Sequence, residues 1–227
     1  MKILVCVKVV NGELNPFDAC ALEEALRLGG EVSVLSMCPA SAESVLRPLT
    51  RLGVKNVYLL SDATYAGSDT LATSYILSLA AKKIGFDLIL CGRQTIDGDT
   101  AQVGPCLATK LGIGLVTNVL KLNLDGDSVS CETRLGPETV SLPALLTVER
   151  INTLRFPSIF SRLGEVTLWN NSDVEADPAL CGLKGSPTKV LKVFEAPAGQ
   201  RKCKVAITSD GKMFFDMFRE MFKKYCW

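Results

Sequence analysis

The chain opens on a nearly unbroken apolar, β-branched run over residues 3–10 (ILVCVKVV), which is how a strand buried on both faces reads. The segment NGELNPFDACALEEALRLGG predicts a helix, with Asn15 as N-cap, Pro16 at the first helical position, a buried stripe through Ala19, Leu22, Ala25 and Leu26, and Gly29-Gly30 as the stop. Strands are predicted at 31–37 and 56–60, with a helix over 41–52 between them. A polar loop, SDATYAGSD, leads to a helix over 69–84 that Gly85 ends; a strand at 88–91 and a helix over 100–111 follow. Strands alternating with helices over the first 110 or so residues imply a parallel sheet, wound on both faces. After Gly112 the period changes. Short strand-like runs at 116–124, 129–133, 139–142 and 144–148 are separated by Asp-Gly or Gly-Pro turns with no helix between them, which predicts added, partly antiparallel strands.

Such a sheet binds its ligands where a strand's carboxyl end opens toward the next helix, which directs attention to CGRQTIDGDTAQVGP, residues 91–105. Thr100 is the expected N-cap, leaving the amides of Ala101, Gln102 and Val103 for an anion or a ribose oxygen, with Arg93 supplying a full positive charge. Gly98 and Gly104 allow tight turning and close approach of a ligand to the backbone. Asp97 and Asp99 would repel a pyrophosphate unless they face elsewhere, so hydrogen bonding to ribose or to loop amides suits them better. The same DGDT also serves as a plain turn and helix cap, and the stretch matches neither the P-loop nor the GxGxxG pattern.

Composition narrows the chemistry. Histidine is absent from the 227 residues, which removes the commonest general base and every Ser-His or Cys-His arrangement, so a cofactor or carboxylates must supply any chemistry. The nine cysteines are scattered and contain no CxxC pair, which favours reduced, buried thiols in a cytoplasmic protein over metal or disulfide frameworks. A net charge of +1 gives no case for nucleic acid or an anionic membrane, and no stretch is long enough to span a bilayer.

GRQTIDGDTAQVGP resembles the nucleotide-binding loop of electron transfer flavoprotein β subunits, in the flavin-holding, electron-bifurcating branch, and LPALLT (142–147) and GLKGSPT (182–188) are similar to further family segments. The resemblance implies an α/β, doubly wound, mostly parallel, Rossmann-like sheet: residues 1–150 hold the nucleotide, and 151–227 supply a recognition loop, a partner-binding arm and a terminal helix. It implies FAD, with AMP as the alternative, lined by Cys6, Asn15, Pro16, Phe17, Asp18, Met37, Asp62, Asp69, Thr70, Thr73 and the loop Gly92, Arg93, Gln94, Thr95, Asp97, Gly98, Asp99, Thr100, Ala101, Gln102, Val103 and Gly104. AGSDTLAT resembles the flavin-containing branch rather than the AMP-containing one. Implied partners are an electron transfer flavoprotein α subunit, an acyl-CoA dehydrogenase or similar flavin dehydrogenase docking on Arg155, Phe156, Ile159 and Phe160, and NADH and ferredoxin at the ends of the electron path. The chain departs from the family between Val10 and Leu14 and again over 134–141, where its loops are shorter. The arm over 177–193 has little core of its own, and the tail MFFDMFREMFKKYCW places Phe214, Met217, Phe218, Met221, Phe222 and Tyr225 on one face of an amphipathic helix. From the residues alone, a free-standing adenine-nucleotide sensor remains the alternative.

Overall fold

In the computed structural model, which describes residues 1–189 and 210–223, the first apolar run lies at the middle of a nine-stranded sheet. Strand β1 (Lys2–Val7) is flanked by parallel neighbours on both edges, so nearly all of its side chains are buried. The strand is shorter than the predicted 3–10. Val9–Val10 (β2) instead folds back on Glu13–Leu14 (β3) as a small antiparallel hairpin around Asn11-Gly12. Both turn residues have positive φ, 52° and 80°, the conformation for which Asn-Gly is the favoured pair.

Helix α1 (Pro16–Leu28) and strand β4 (Glu31–Met37) follow as expected. The helix predicted over 41–52 is broken into 3-10 turns, Ala40–Ala42 and Arg47–Leu52, around a single turn of α2 (Glu43–Leu46). Pro48 accounts for the break, because it has no N–H to give the helix. Strand β5 (Asn56–Leu60), helix α3 (Thr70–Ile84), strand β6 (Leu88–Gly92) and helix α4 (Val103–Leu111) complete the alternating part. Then β7 (Gly114–Asp125), β8 (Ser128–Thr133) and β9 (Gly136–Ser141) form an antiparallel meander, and β10 (Ala144–Val148) inserts parallel between β6 and β7.

Two elements beyond residue 150 were not foreseen. Strand β11 (Thr167–Trp169) adds to the sheet edge parallel to β5, and α5 (Asn171–Val174) starts with a capping box of Asn170 and Asp173. The sheet order is β11-β5-β4-β1-β6-β10-β7-β8-β9. One face packs on α1 and the α2 region through Leu22, Ala25, Leu46 and Leu49; the other packs on α3 and α4 through Ile76, Leu77, Ala80 and Leu107. Met1–Lys189 is one compact unit. Helix α6 (Gly211–Lys223), described by itself, exposes Met213, Phe214, Phe215 and Phe218; the side chains of Met217, Met221, Phe222 and Tyr225, and the arm from residue 190, lie outside the described residues.

Candidate functional site

The chain runs outward from β1 through β4 to β5, then returns to place β6 on the other side of β1. The loops leaving the carboxyl ends of β1 and β6 therefore diverge, and a crevice at such a reversal is where open α/β sheets take their ligands. Residues 6, 15–18 and 92–104 of the sequence-predicted set converge there.

Asp18 ties the two exits together. Its Oδ2 accepts the Lys8 N–H at 2.8 Å and its Oδ1 the Gly92 N–H at 3.0 Å, so one side chain in the first turn of α1 fixes both strand ends. Burial pushes its carboxyl up to about 7, against the pull of the Lys8 amide, the Asn15 side chain and the Gly92 amide. Gly92 is required by this approach: a Cβ there would stand 2.6 Å from the Phe17 carbonyl carbon and 2.7 Å from the Asp18 nitrogen. Asn15 occupies the N-cap position of α1 but its side chain does not cap the helix. It crosses to the neighbouring loop instead, donating from Nδ2 to the Gln94 carbonyl at 2.8 Å and accepting the Ile96 N–H at 3.4 Å. Pro16 fills the first helical position, as expected.

The loop after β6 is braced from within. Arg93 donates from Nη1 to Glu149 Oε1 at 3.0 Å and from Nε to Gln94 Oε1 at 2.7 Å, and its guanidinium lies over the Phe17 ring, 5.6 Å from the centroid. Asp97 pairs with Lys8 at 2.6 Å and accepts the Gly98 N–H; burial raises its carboxyl, but Lys8 and Thr95 outweigh this and hold it below the usual carboxylate range. Asp99 accepts from the Gln94 amide. Both carboxylates of the loop thus have a hydrogen-bond partner, and Lys8 offsets the charge of Asp97.

Helix α4 begins three residues later than predicted. Asp99 and Ala101 have φ of 51° and 54°, outside the helical region, and Thr100 sends its hydroxyl toward Thr70, 3.5 Å away, rather than capping. Gln102 stands at the N-cap position without a side-chain cap. Left-handed Ala101 followed by right-handed Gln102 aligns successive N–H groups into a concavity suited to an anion, and the amides of Val103 and Gly104 extend it. Gly104 brings the helix close to the sheet, since a Cβ there would meet Thr147 Cγ2 at 2.7 Å.

Cys6 and Cys91 are register partners at the ends of β1 and β6, both free and buried; hydrogen bonding to Cys6 and burial push the Cys91 thiol up, so it is a poor nucleophile. Met37, at the end of β4, is partly buried against the same cluster. Thr70 borders the loop, and Thr73 sits within a turn of it on α3. Asp69 and Asp62 do other work. Asp69 caps α3 through the Leu71 and Ala72 amides and holds Thr188 by its N–H at 3.1 Å and hydroxyl at 2.8 Å. Asp62 accepts from the Thr64 and Asn171 amides, which lower its carboxyl. The GLKGSPT stretch is thereby seated on the β5–α3 loop, with the Ser186 hydroxyl accepting the Asp69 N–H at 2.8 Å.

The predicted docking residues divide into two kinds. Arg155 makes a bidentate pair with buried Glu23, 2.9 Å in both arms, while Thr50 accepts the Gly164 N–H at 2.9 Å at the other end of the segment. Between these anchors Phe156, Ile159 and Phe160 are 94%, 83% and 88% exposed. Sequence reasoning missed Lys8, Glu23 and Glu149; a charge just after an apolar strand was the available signal for Lys8 and Glu149, whereas Glu23, within α1, gave none. No group of three metal-ligating side chains and no helix long and apolar enough to cross a membrane occurs among the described residues.

Comparison with known proteins bears on this geometry. The electron transfer flavoprotein domain matches residues 3–168. The chain is 45% identical to the electron transfer flavoprotein subunit beta of Thermoanaerobacterium thermosaccharolyticum over 192 residues, covering 78% of this chain and 74% of the relative. It is 41% identical to protein FixA of Azorhizobium caulinodans over 233 residues (93% and 83%), and 40% identical to the caffeyl-CoA reductase-Etf complex subunit CarD of Acetobacterium woodii over 200 residues (82% and 76%). With matches of this extent and a sheet whose switch point carries the expected loop, the chain belongs to the electron transfer flavoprotein family, among its β subunits.

Proposed function

We propose that this β subunit pairs with an electron transfer flavoprotein α subunit in the cytoplasm and holds the adenosine and pyrophosphate of FAD in the crevice between β1 and β6. The observation that carries this reading is the uncapped N-terminus of α4 at the switch point, in a loop where Lys8 offsets Asp97 and the Gln94 amide holds Asp99. The residues fit the group: the amides from Gln102 to Gly104 suit the phosphates, Arg93 supplies charge, and Cys6, Phe17, Met37 and Thr70 border the adenosine side. Bound there, FAD supplies the electron-carrying chemistry, and the chain's own share is to bind and orient it. Electrons pass from NADH or a dehydrogenase to partner acceptors, among them an acyl-CoA dehydrogenase seated on Phe156, Ile159 and Phe160, with ferredoxin as the low-potential acceptor if flavin-based bifurcation operates. CarD, in a caffeyl-CoA reductase complex, supports an acyl-CoA-type partner.

AMP satisfies the same adenosine and phosphate contacts, and the two readings separate by stoichiometry. Co-production with the α subunit, followed by flavin and nucleotide analysis, is expected to give two FAD per heterodimer. One FAD with one AMP replaces the FAD reading for this subunit, and a heterodimer without a second adenine nucleotide rejects the crevice as the site.

A further inference from the structure

Glu149, the first residue after β10, belongs to no motif singled out in the sequence, yet it is 5% exposed beside the crevice. Its Oε1 takes Arg93 Nη1 at 3.0 Å and stands 3.7 Å from Arg134 Nη2. Its amide bonds to the Val119 carbonyl, while the Arg93 amide bonds to the Val148 carbonyl, so the two residues are fixed to neighbouring strands before their side chains meet. Gln94 and the Phe17 ring hold the rest of the guanidinium.

We infer that Glu149 is a positioning residue for the nucleotide crevice: it orients Arg93 and offsets part of the positive charge there, so that an anionic ligand meets an aligned set of donors of moderated charge. The inference rests on the adenine-nucleotide reading above. It predicts an unusual sign. Glu149→Gln keeps an acceptor oxygen for Arg93 but removes the negative charge, so the variant binds nucleotide more tightly than the wild type. A carboxylate serving only as a structural prop would, when replaced, loosen the loop and weaken binding.

The test titrates ADP calorimetrically into the nucleotide-stripped heterodimer for the wild type, Glu149→Gln, Arg93→Gln and the double variant. Expected are binding about 3-fold tighter for Glu149→Gln at low salt, a gain that shrinks as salt is raised, and weaker binding for Arg93→Gln. The double variant is expected to bind more tightly than Arg93→Gln alone, which keeps the comparison available if Glu149→Gln by itself does not fold. Unchanged or weaker binding on removing Glu149 in either background overturns the inference and leaves the adenine-nucleotide reading standing. Failure of the wild type to bind ADP overturns both.

Discussion

Gly92→Ala tests whether the crevice is built on direct contact between α1 and β6. The added Cβ would stand 2.3 Å from Asp18 Oδ1, 2.6 Å from the Phe17 carbonyl carbon and 2.7 Å from the Asp18 nitrogen. Carbon contacts are comfortable at about 3.5 Å, so the first turn of α1 must withdraw by about 1 Å. Two of the obstructing atoms are backbone, and Pro16 together with the Asn15–Gln94 bond limits the helix's freedom to slide. Overpacking of this kind costs about 1–3 kcal/mol. The withdrawal also breaks or stretches the Gly92 N–H bond to the Asp18 carboxyl, 3.0 Å in the native fold, at a further cost of about 1–3 kcal/mol. For a chain of this size, a total of about 4 kcal/mol lowers Tm by about 10 °C. Thermal unfolding followed by circular dichroism, at fixed protein concentration, is the assay. Gly98→Ala is the control, because its Cβ would meet only the Thr95 hydroxyl at 3.5 Å, and a change below about 0.5 kcal/mol is expected. If the two variants melt within about 2 °C of each other, the close approach of α1 to β6 is not a constraint and the account of the crevice is wrong.

Three further outcomes follow from the same geometry. The Asp18 carboxyl, raised from 3.8 to about 7 by burial, keeps its proton in the folded protein where the unfolded chain has released it; its contribution to stability is full below pH 4 or so and is lost as the pH rises toward 7. The stability difference between wild type and Asp18→Asn therefore shrinks over that window by up to a few kcal/mol, and denaturant unfolding that gives a constant difference from pH 4 to 8 would refute it. Replacing Phe156, Ile159 and Phe160 together by serine is expected to change stability by less than about 0.5 kcal/mol, since their burial is slight, while slowing electron transfer to the proposed dehydrogenase partner about 10-fold or more; a large Tm loss or an unchanged rate contradicts the proposed docking role. Asp69→Ala removes both the α3 cap and the hold on Thr188, costing about 1–2 kcal/mol and making residues 182–188 exchange amide hydrogens faster; unaltered exchange there shows that Asp69 does not seat the segment.

The sheet was legible because buried parallel strands leave an unmistakable record: β4, β5 and β10 fall where their apolar runs do, and β6 extends one residue further. Where a helix or strand was misjudged, a local preference lost to a specific residue. Pro48 breaks the α2 region, Asn11-Gly12 folds the end of the first apolar run back as a hairpin, and left-handed Asp99 and Ala101 delay α4. The position of the site was legible because it follows from where the strand order reverses. Its internal bracing was not, since Glu149 reaches Arg93 across 56 positions and Glu23 reaches Arg155 across 132. No periodicity reports on pairs so far apart in the chain. Strand β11, three residues long, carries too little pattern to be seen without the neighbour it pairs with.

The segment between Arg155 and Gly164 presents its aromatic and aliphatic side chains to water while its ends are fastened to Glu23 and Thr50. A loop tethered in this way has surrendered much of its backbone freedom during folding, so an incoming protein meets a surface with little further entropy to lose. The tether thus lowers the ordering cost of any complex formed on this surface, so the three exposed side chains can contribute more of their contact energy to binding.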